Sequence, residues 1–246
     1  MKTSEYDDYA AEYVAYVERR EQGGAEGDPM GLLPYLLEVI GDVSGRMVLD
    51  AGCGEGYLAR ILAGLGARVT GVDLSPRLIA LARAKDPDGE ITYQVGDLST
   101  PLPEHRERFD AVASYMVLDD VEDHRGFAAT LAQVLKPGGR AVLAFNNPYA
   151  YVVRKDIGTD YFASGTTYPS GLARSGINVS FHYRTLGEYL DAFLSAGLQL
   201  TRLLDVDHPE IAADRAAGKP LPEGEGLPRF MVLAFRRPMD DPCSGS

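Results

Sequence analysis

The chain has 246 residues, with 24 Lys and Arg against 36 Asp and Glu, a formal charge of −12. Its 45% hydrophobic and 24% charged residues exclude a disordered chain, and the length suits one large domain with a sizeable core. The acidic balance argues against nucleic-acid and anionic-membrane partners. A local basic patch can survive such a charge, but no run of Lys and Arg occurs.

No apolar stretch approaches the ~20 residues of a membrane span. The start of the chain is acidic and tyrosine-rich, unlike a signal peptide. Cys53 and Cys243 are the only cysteines, too few for a disulfide framework or a cysteine zinc site. Four histidines without paired spacing give no metal signal, and the expected location is the cytoplasm.

Tyr6, Tyr9, Tyr13 and Val17 fall at helical spacing, and Leu32–Ile40 reads as a second helix after a glycine-rich break. Strand and helix then alternate. Arg46–Asp50 is a strand ending in the glycine cluster Gly52 to Gly56, and Tyr57–Leu65 is a helix. Ala67–Asp73 is the second strand, and Ser75 with Pro76 caps a helix to about Lys85. Ile91–Gly96 and Phe109–Tyr115 are the third and fourth strands. Asp123 can cap a helix that begins near His124 and carries Phe127, Leu131, Val134 and Leu135. The turn Lys136 to Gly139 is expected to stop it before a fifth strand, Arg140–Phe145.

Asn146 to Tyr183 interrupts the alternation, with Val179–Tyr183 read as a strand whose partner lies near Tyr161. Thr185 and Glu188 form a capping-box pair opening a helix that Gly197 ends. Leu198–Val206 and Phe230–Arg236 are the last strands, separated by a Pro/Gly-rich stretch. The pattern implies a doubly wound α/β fold with a mainly parallel seven-stranded sheet, preceded by N-terminal helices and carrying an insertion after the fifth strand. It reads as a single domain, 1–246: N-terminal helices 1–41, a first half 45–145, an insertion 146–184, a C-terminal half 185–237 and a tail 238–246.

The run Val48 to Gly56 carries the chemistry. Glycines after a first strand let backbone approach a ligand, beside the free N–H groups of a helix start. Asp73 ends the second strand about 20 residues on, the place of an acid that pairs with ribose hydroxyls. Asp97, in Gly96-Asp97-Leu98, can accept from an adenine amino group. Together they point to a nucleoside. Tyr57 breaks the dinucleotide G-x-G-x-x-G spacing, and a carboxylate at Asp50 would repel a pyrophosphate. A cationic nucleoside without phosphate, S-adenosylmethionine, suits these residues better than a nicotinamide cofactor.

These motifs resemble those of class I S-adenosylmethionine-dependent methyltransferases, in the branch acting on small molecules. The likeness covers about Gly45 to Phe145 and includes Phe109–Tyr115 and Val134–Gly139. It implies that Asp50, Gly52, Gly54, Asp73, Leu74, Asp97, Leu98 and Tyr115 serve the cofactor. It also implies that the N-terminal helices form a lid, with Tyr9 or Tyr13 over the pocket. Relatives carry a His-Arg-Thr/Pro-Leu stretch where this chain has His182-Tyr183-Arg184-Thr185-Leu186, and His-Pro where it has Asn147-Pro148. Both departures lie on the acceptor side.

His182 and Tyr183 are therefore the catalytic candidates, His182 because imidazole titrates near neutral pH. Asn147, Tyr149, Tyr168 and His182 are the acceptor-binding candidates, with Tyr151, Tyr161 and Phe162 in the same aromatic segment. His105 is expected in a charged surface turn, and Cys53 as a small buried filler. The expected function is methyl transfer to O, N or C of a small metabolite, by a monomer or homodimer. The alternative is a cofactor-binding protein of the same fold that transfers no methyl.

Overall fold

Strands rich in β-branched and aromatic residues, apolar on both faces, need helices above and below. In the computed structural model, which describes residues 4–23, 28, 30–153, 160–170, 172, 175–221 and 226–240, they have both. Strands β1 (Met47–Ala51), β2 (Arg68–Asp73), β3 (Thr92–Val95), β4 (Phe109–Tyr115) and β5 (Leu135–Asn146) run parallel. Strand β9 (Phe230–Arg236) lies antiparallel between β5 and β8 (Gln199–Val206). The order across this seven-stranded sheet is β3-β2-β1-β4-β5-β9-β8.

Alternation divides the side chains between two cores. Val48, Val142, Ala144, Val232 and Ala234 pack with α2 (Leu33–Ile40), α3 (Tyr57–Gly64) and α4 (Pro76–Ala84). Leu49, Leu143, Phe145, Leu233 and Phe235 pack on the other face with α5 (His124–Val134) and α7 (Leu186–Ser195). There Phe193 stacks on Phe235 at 4.6 Å and meets Phe127 edge-on. Cys53 is a buried free thiol, as its size suggests.

The caps appear where the side chains called for them. Ser75 Oγ accepts the Leu78 N–H at 3.0 Å, and Asp123 accepts the Gly126 N–H at 2.9 Å. Thr185 and Glu188 form the full capping box, which with Ser164 holds the Glu188 carboxyl down against the burial that would raise it. Gly197 follows in the left-handed region, at φ 84°.

Four details differ from expectation. Strand β5 begins at Leu135, directly out of α5, because Leu135 pairs with Phe109 and Gly138 and Gly139 bond to Arg237. A register shift between Phe109 and Ala111 takes up the irregular Lys136–Gly139 stretch. Strand β7 (Ser180–His182) pairs with β6 (Thr167–Pro169), not with chain near Tyr161, in a separate two-stranded ribbon. His105 is buried, its Nε2 2.6 Å from Gln94 Oε1, and desolvation lowers its pKa. Two helices arise in segments read as irregular, α6 (Pro148–Val153) and α8 (Pro209–Ala216), each with Pro at its start. His208 caps α8, and the Asp207 carboxylate holds Arg215 at 3.0 Å.

The N-terminal segment crosses the carboxyl end of the sheet as a 3-10 turn (Glu5–Tyr9) leading into α1 (Ala10–Gly23). Asp7 accepts from Ser75 Oγ and Arg77 N, while Glu5 accepts from Ser180 N at 2.6 Å. The segment thereby ties α4 to β7. Lys85 adds a second tie, bridging Glu18 of α1 and the buried Glu55 of the glycine loop. Among the described residues no helix is long and apolar enough to cross a membrane.

Candidate active site

In an open parallel sheet, ligands bind outside the carboxyl ends of the strands where the strand order reverses. Here that point lies between β1 and β4, and a cavity of about 340 Å³ opens there. Its walls come from the residues after β1, β2, β3 and β4, from the N-terminal turn and from β7.

The glycine loop forms one wall. Gly52 has φ 80°, and a Cβ there would lie 2.5 Å from both methyls of Val117. Gly54, at φ 52°, leaves open the space between the loop and Tyr13, whose ring a Cβ would approach only to 3.9 Å. No other residue fits that path without strain.

Asp73 faces this loop. Its Oδ2 accepts the Gly54 N–H at 2.9 Å and its Oδ1 the Ser75 N–H at 2.8 Å, so the carboxylate is oriented by backbone from two directions. Burial raises its pKa, and those same N–H groups oppose the shift. Asp97 is held the same way, by the Ser99 N–H at 2.8 Å, with Leu98 beside it on the cavity wall. Tyr115 lines the wall and donates to Asp28 at 2.6 Å.

Of the residues singled out from sequence, Gly52, Gly54, Asp73, Leu74, Asp97, Leu98, Tyr115, Tyr13 and His182 line this one cavity. Alternation in β7 sends Ser180 and His182 into it, while Phe181 meets Tyr168 edge-on away from it.

Five others do not line it. Tyr183 is buried against Tyr161, its hydroxyl donating to the Tyr161 carbonyl at 2.9 Å, and desolvation pushes its pKa up. Asn147 is buried at the start of α6 and accepts the Tyr149 N–H. Tyr149 stacks on Tyr161 at 4.9 Å, and Tyr168 is packed in the β6–β7 ribbon. Asp50 lies behind the glycine loop, fully buried, with Oδ2 lacking a hydrogen-bond partner. Burial, then Asp73, drives its carboxyl up to about 8 against the Ala59 N–H. The lid candidate Tyr9 stays outside the cavity wall, and in the aromatic segment the side chain of Tyr151 lies outside the described residues.

Sequence reasoning missed Glu5, Tyr6, Asp120 and Glu122 on the cavity wall. Tyr6 Oη donates to Asp120 Oδ1 at 3.0 Å, a contact across 114 residues. Asp120 sits in a 3-10 turn (Leu118–Asp120) beside Asp119, which Asn146 pins at 2.6 Å. Burial and then Asp119 push the Asp120 carboxyl well above the usual range. The doublet Asp119-Asp120 just after a strand was the available signal. With these, the wall holds five carboxylates and no Lys or Arg among the described residues.

The chain matches the sequence family described as "Methyltransferase domain" over residues 49–143. An S-adenosylmethionine-dependent methyltransferase from Mesorhizobium loti is 30% identical, aligned over 88% of this chain and 100% of that one, with a TM-score of 0.70. The chain belongs to the S-adenosylmethionine-dependent methyltransferases. A TehB-like methyltransferase from Corynebacterium glutamicum, 24% identical, shares the fold over 94% of this chain and 98% of its own at a TM-score of 0.62.

Two curated relatives of this methyltransferase are a demethylmenaquinone methyltransferase of Tropheryma whipplei and a ubiquinone biosynthesis O-methyltransferase of Xanthomonas oryzae. They are 38% and 36% identical, over 47% and 50% of this chain and 48% and 52% of theirs. The chain thus spans about half the length of the curated relatives it matches.

The family's cofactor is S-adenosylmethionine, and the residues present fit it. A glycine cradle that a Cβ would fill faces two backbone-oriented carboxylates, and among the described residues no Lys or Arg on the wall would pair with a phosphate. Both features suit a nucleoside that carries sulfonium and ammonium charge.

Proposed function

We propose that this methyltransferase transfers a methyl group from S-adenosylmethionine to an O, N or C atom of a small-molecule acceptor. The observation that carries the reading is the convergence of Gly52, Gly54, Asp73 and Asp97 on one cavity whose wall carries no Lys or Arg among the described residues. The quinone-pathway names of the two curated relatives support a small metabolite as acceptor. The same reading has the chain as a single domain acting in the cytoplasm, as monomer or homodimer, with no nucleic-acid or membrane partner.

S-adenosylmethionine would supply a methyl carbon already activated by the sulfonium. In this reading Asp73 takes the ribose diol, and Asp97 with the Leu98 N–H takes the adenine. The Gly52–Gly54 backbone, with Asp50 behind it, takes the methionyl portion together with chain near Tyr115. The remaining task is to orient the acceptor and exclude water, and orientation alone supplies roughly 7–11 kcal/mol. Tyr13 and the N-terminal turn cover the cavity. His182 is the candidate to accept the acceptor's proton, and Asp120, whose carboxyl burial and then Asp119 push above the usual range, lines the same wall. A general base adds only ~10²–10⁴-fold.

Titration calorimetry with S-adenosylhomocysteine, followed by incubation of labelled cofactor with phenols, amines and carboxylic acids, tests the reading. Binding and label transfer to at least one acceptor are expected. Affinity for NAD with none for S-adenosylhomocysteine would overturn it. His182→Ala is expected to lower turnover by 10²-fold or more at nearly unchanged cofactor affinity, and an unchanged rate removes His182 from the chemistry.

A further inference from the structure

A second cavity, about 450 Å³, lies at the opposite end of the sheet, among the strand ends remote from the glycine loop. Arg46, Arg140, Arg202 and Arg236 line it, together with Asp110 and Thr201. In the sequence these arginines are far apart. Topology gathers them, since Arg46 leads into β1, Arg140 follows the Gly138-Gly139 turn in β5, Arg202 lies in the first half of β8, and Arg236 ends the antiparallel β9.

Arg140 and Arg236 are directly opposed across the β5–β9 pair, and Arg202 opposes Ala234 on the neighbouring pair. Val142, Ala144, Val232 and Ala234 are core residues on the α2 face, and Arg140 and Arg236 are the next positions on that face. Helix α2 stops at Gly41, so the strip of sheet beyond it carries guanidinium groups instead of a helix.

Like charges directly opposed across strands repel. Burial and then Arg46 hold the Arg140 guanidinium below its ordinary range, with Asp42 opposing them. The nearby carboxylates are already engaged. Glu38 binds Arg202 at 2.8 Å, Asp42 Oδ1 accepts the Ser44 N–H, and Asp110 accepts from Met47 N and Lys136 Nζ, each at 2.8 Å. Arg46 Nε donates to the Asp42 carbonyl. The guanidinium groups of Arg140 and Arg236 make no hydrogen bond or ion pair with a described residue. The carbonyl end of α2, against which Arg140 sits, offsets part of this repulsion.

We propose that this cavity binds a phosphate-type dianion, clasped by Arg140 and Arg236 with Arg46 and Arg202 at its rim. Guanidinium forks match phosphate oxygens in pairs, and two unpaired guanidinium charges match a dianion better than a single carboxylate. On a chain of charge −12, anions are repelled from most of the surface, so a converging set of four arginines is a local exception that focuses them. The ligand is inorganic phosphate or the phosphoryl group of a small metabolite. The site is independent of the methyl-transfer reading and lies outside the cavity that serves it.

Full-length protein in phosphate-free buffer is titrated calorimetrically with inorganic phosphate and, separately, with glycerol 3-phosphate. One saturable site per chain is expected, at least tenfold weaker in the double variant R140Q/R236Q and at least threefold weaker in R236Q alone. Equal affinities point to free phosphate, and a tighter glycerol 3-phosphate points to a phosphorylated metabolite; both carry the proposal. Without phosphate, R236Q should melt no lower than the parent protein, since it removes a repulsion, and it should bind S-adenosylhomocysteine unchanged. Non-saturating heats overturn the site, as does phosphate affinity that survives both substitutions or thermal stabilisation that potassium chloride reproduces at equal ionic strength.

Discussion

The two sides of the first cavity are built differently. On the proposed cofactor side, Asp73 and Asp97 each accept backbone N–H bonds from a loop that follows a strand, and the strands are held by the sheet. On the proposed acceptor side, Tyr161 packs its ring against Tyr149 and Tyr183, Tyr168 packs against Phe181, and Tyr183 Oη donates to the Tyr161 carbonyl. What faces the cavity there includes Ser180, His182, Asp120, Glu122 and the borrowed N-terminal residues Glu5 and Tyr6. Parallel strands align their carboxyl ends whatever follows them, so the cofactor side is oriented by topology. The acceptor side is oriented by side-chain packing, which leaves more freedom for the acceptor to differ.

Substitutions can break that contrast. Gly52→Ala should have the largest effect, since it forces a side chain to φ 80° and sets a Cβ 2.5 Å from the Val117 methyls. The left-handed backbone costs roughly 1–2 kcal/mol and overpacking another ~1–3 kcal/mol. Denaturant unfolding should register that loss, and calorimetry should find S-adenosylhomocysteine binding abolished. Parent-like affinity would remove the loop from the cofactor site.

A second experiment follows stability against pH in the apoprotein. Asp50 carries its proton in the folded state up to about 8, against 3.8 when unfolded. The native state therefore binds the extra proton between those values. Its contribution is fully present below pH 4 and declines as pH rises toward 8, by at most about 1.4 kcal/mol per pH unit. Asp50→Asn should lack that decline, so its melting curve and the parent's should diverge from pH 4 to 8. Parallel profiles would mean that Asp50 is ionised in the fold.

Asp73→Ala should weaken S-adenosylhomocysteine binding by ten- to a hundredfold, the value of charge-assisted bonds at roughly 1.5–3 kcal/mol. The smallest effects belong to the acceptor side's scaffold. Thr185→Ala removes a capping box at a cost of about 1 kcal/mol, and Tyr183→Phe removes one hydrogen bond worth roughly 0.5–1.5 kcal/mol. Both should leave cofactor affinity unchanged. A tenfold fall in affinity for either would show that the two sides are coupled.

The same contrast governs how much was legible in advance. The strands Phe109–Tyr115 and Phe230–Arg236, and the caps Ser75, Asp123 and Thr185, could be read because propensity, capping and burial agree at those positions. Asp73 and Asp97 were legible as cavity-wall residues because the strand ends of a parallel sheet already open onto that cavity. Tyr183 was misplaced because alternation says that neighbours face apart without saying which face is inward, and Asn147 because a likeness to relatives gives a position in the chain and not its burial. Nothing in the chain order could reveal that Tyr6 would reach Asp120, or that residues 167–169 would pair with 180–182.

From the order of its residues, this chain determined its alternating strands and helices, the glycine turn after the first strand and the acids that follow the next two. Those are consequences of local sterics, capping and periodicity, which act over a few residues. Only the tertiary structure decided which side chains of the insertion face the cavity and which are absorbed in packing. It alone set four scattered arginines around one cavity in a chain with no basic run, because contact across strands depends on register and sheet order rather than on separation along the chain.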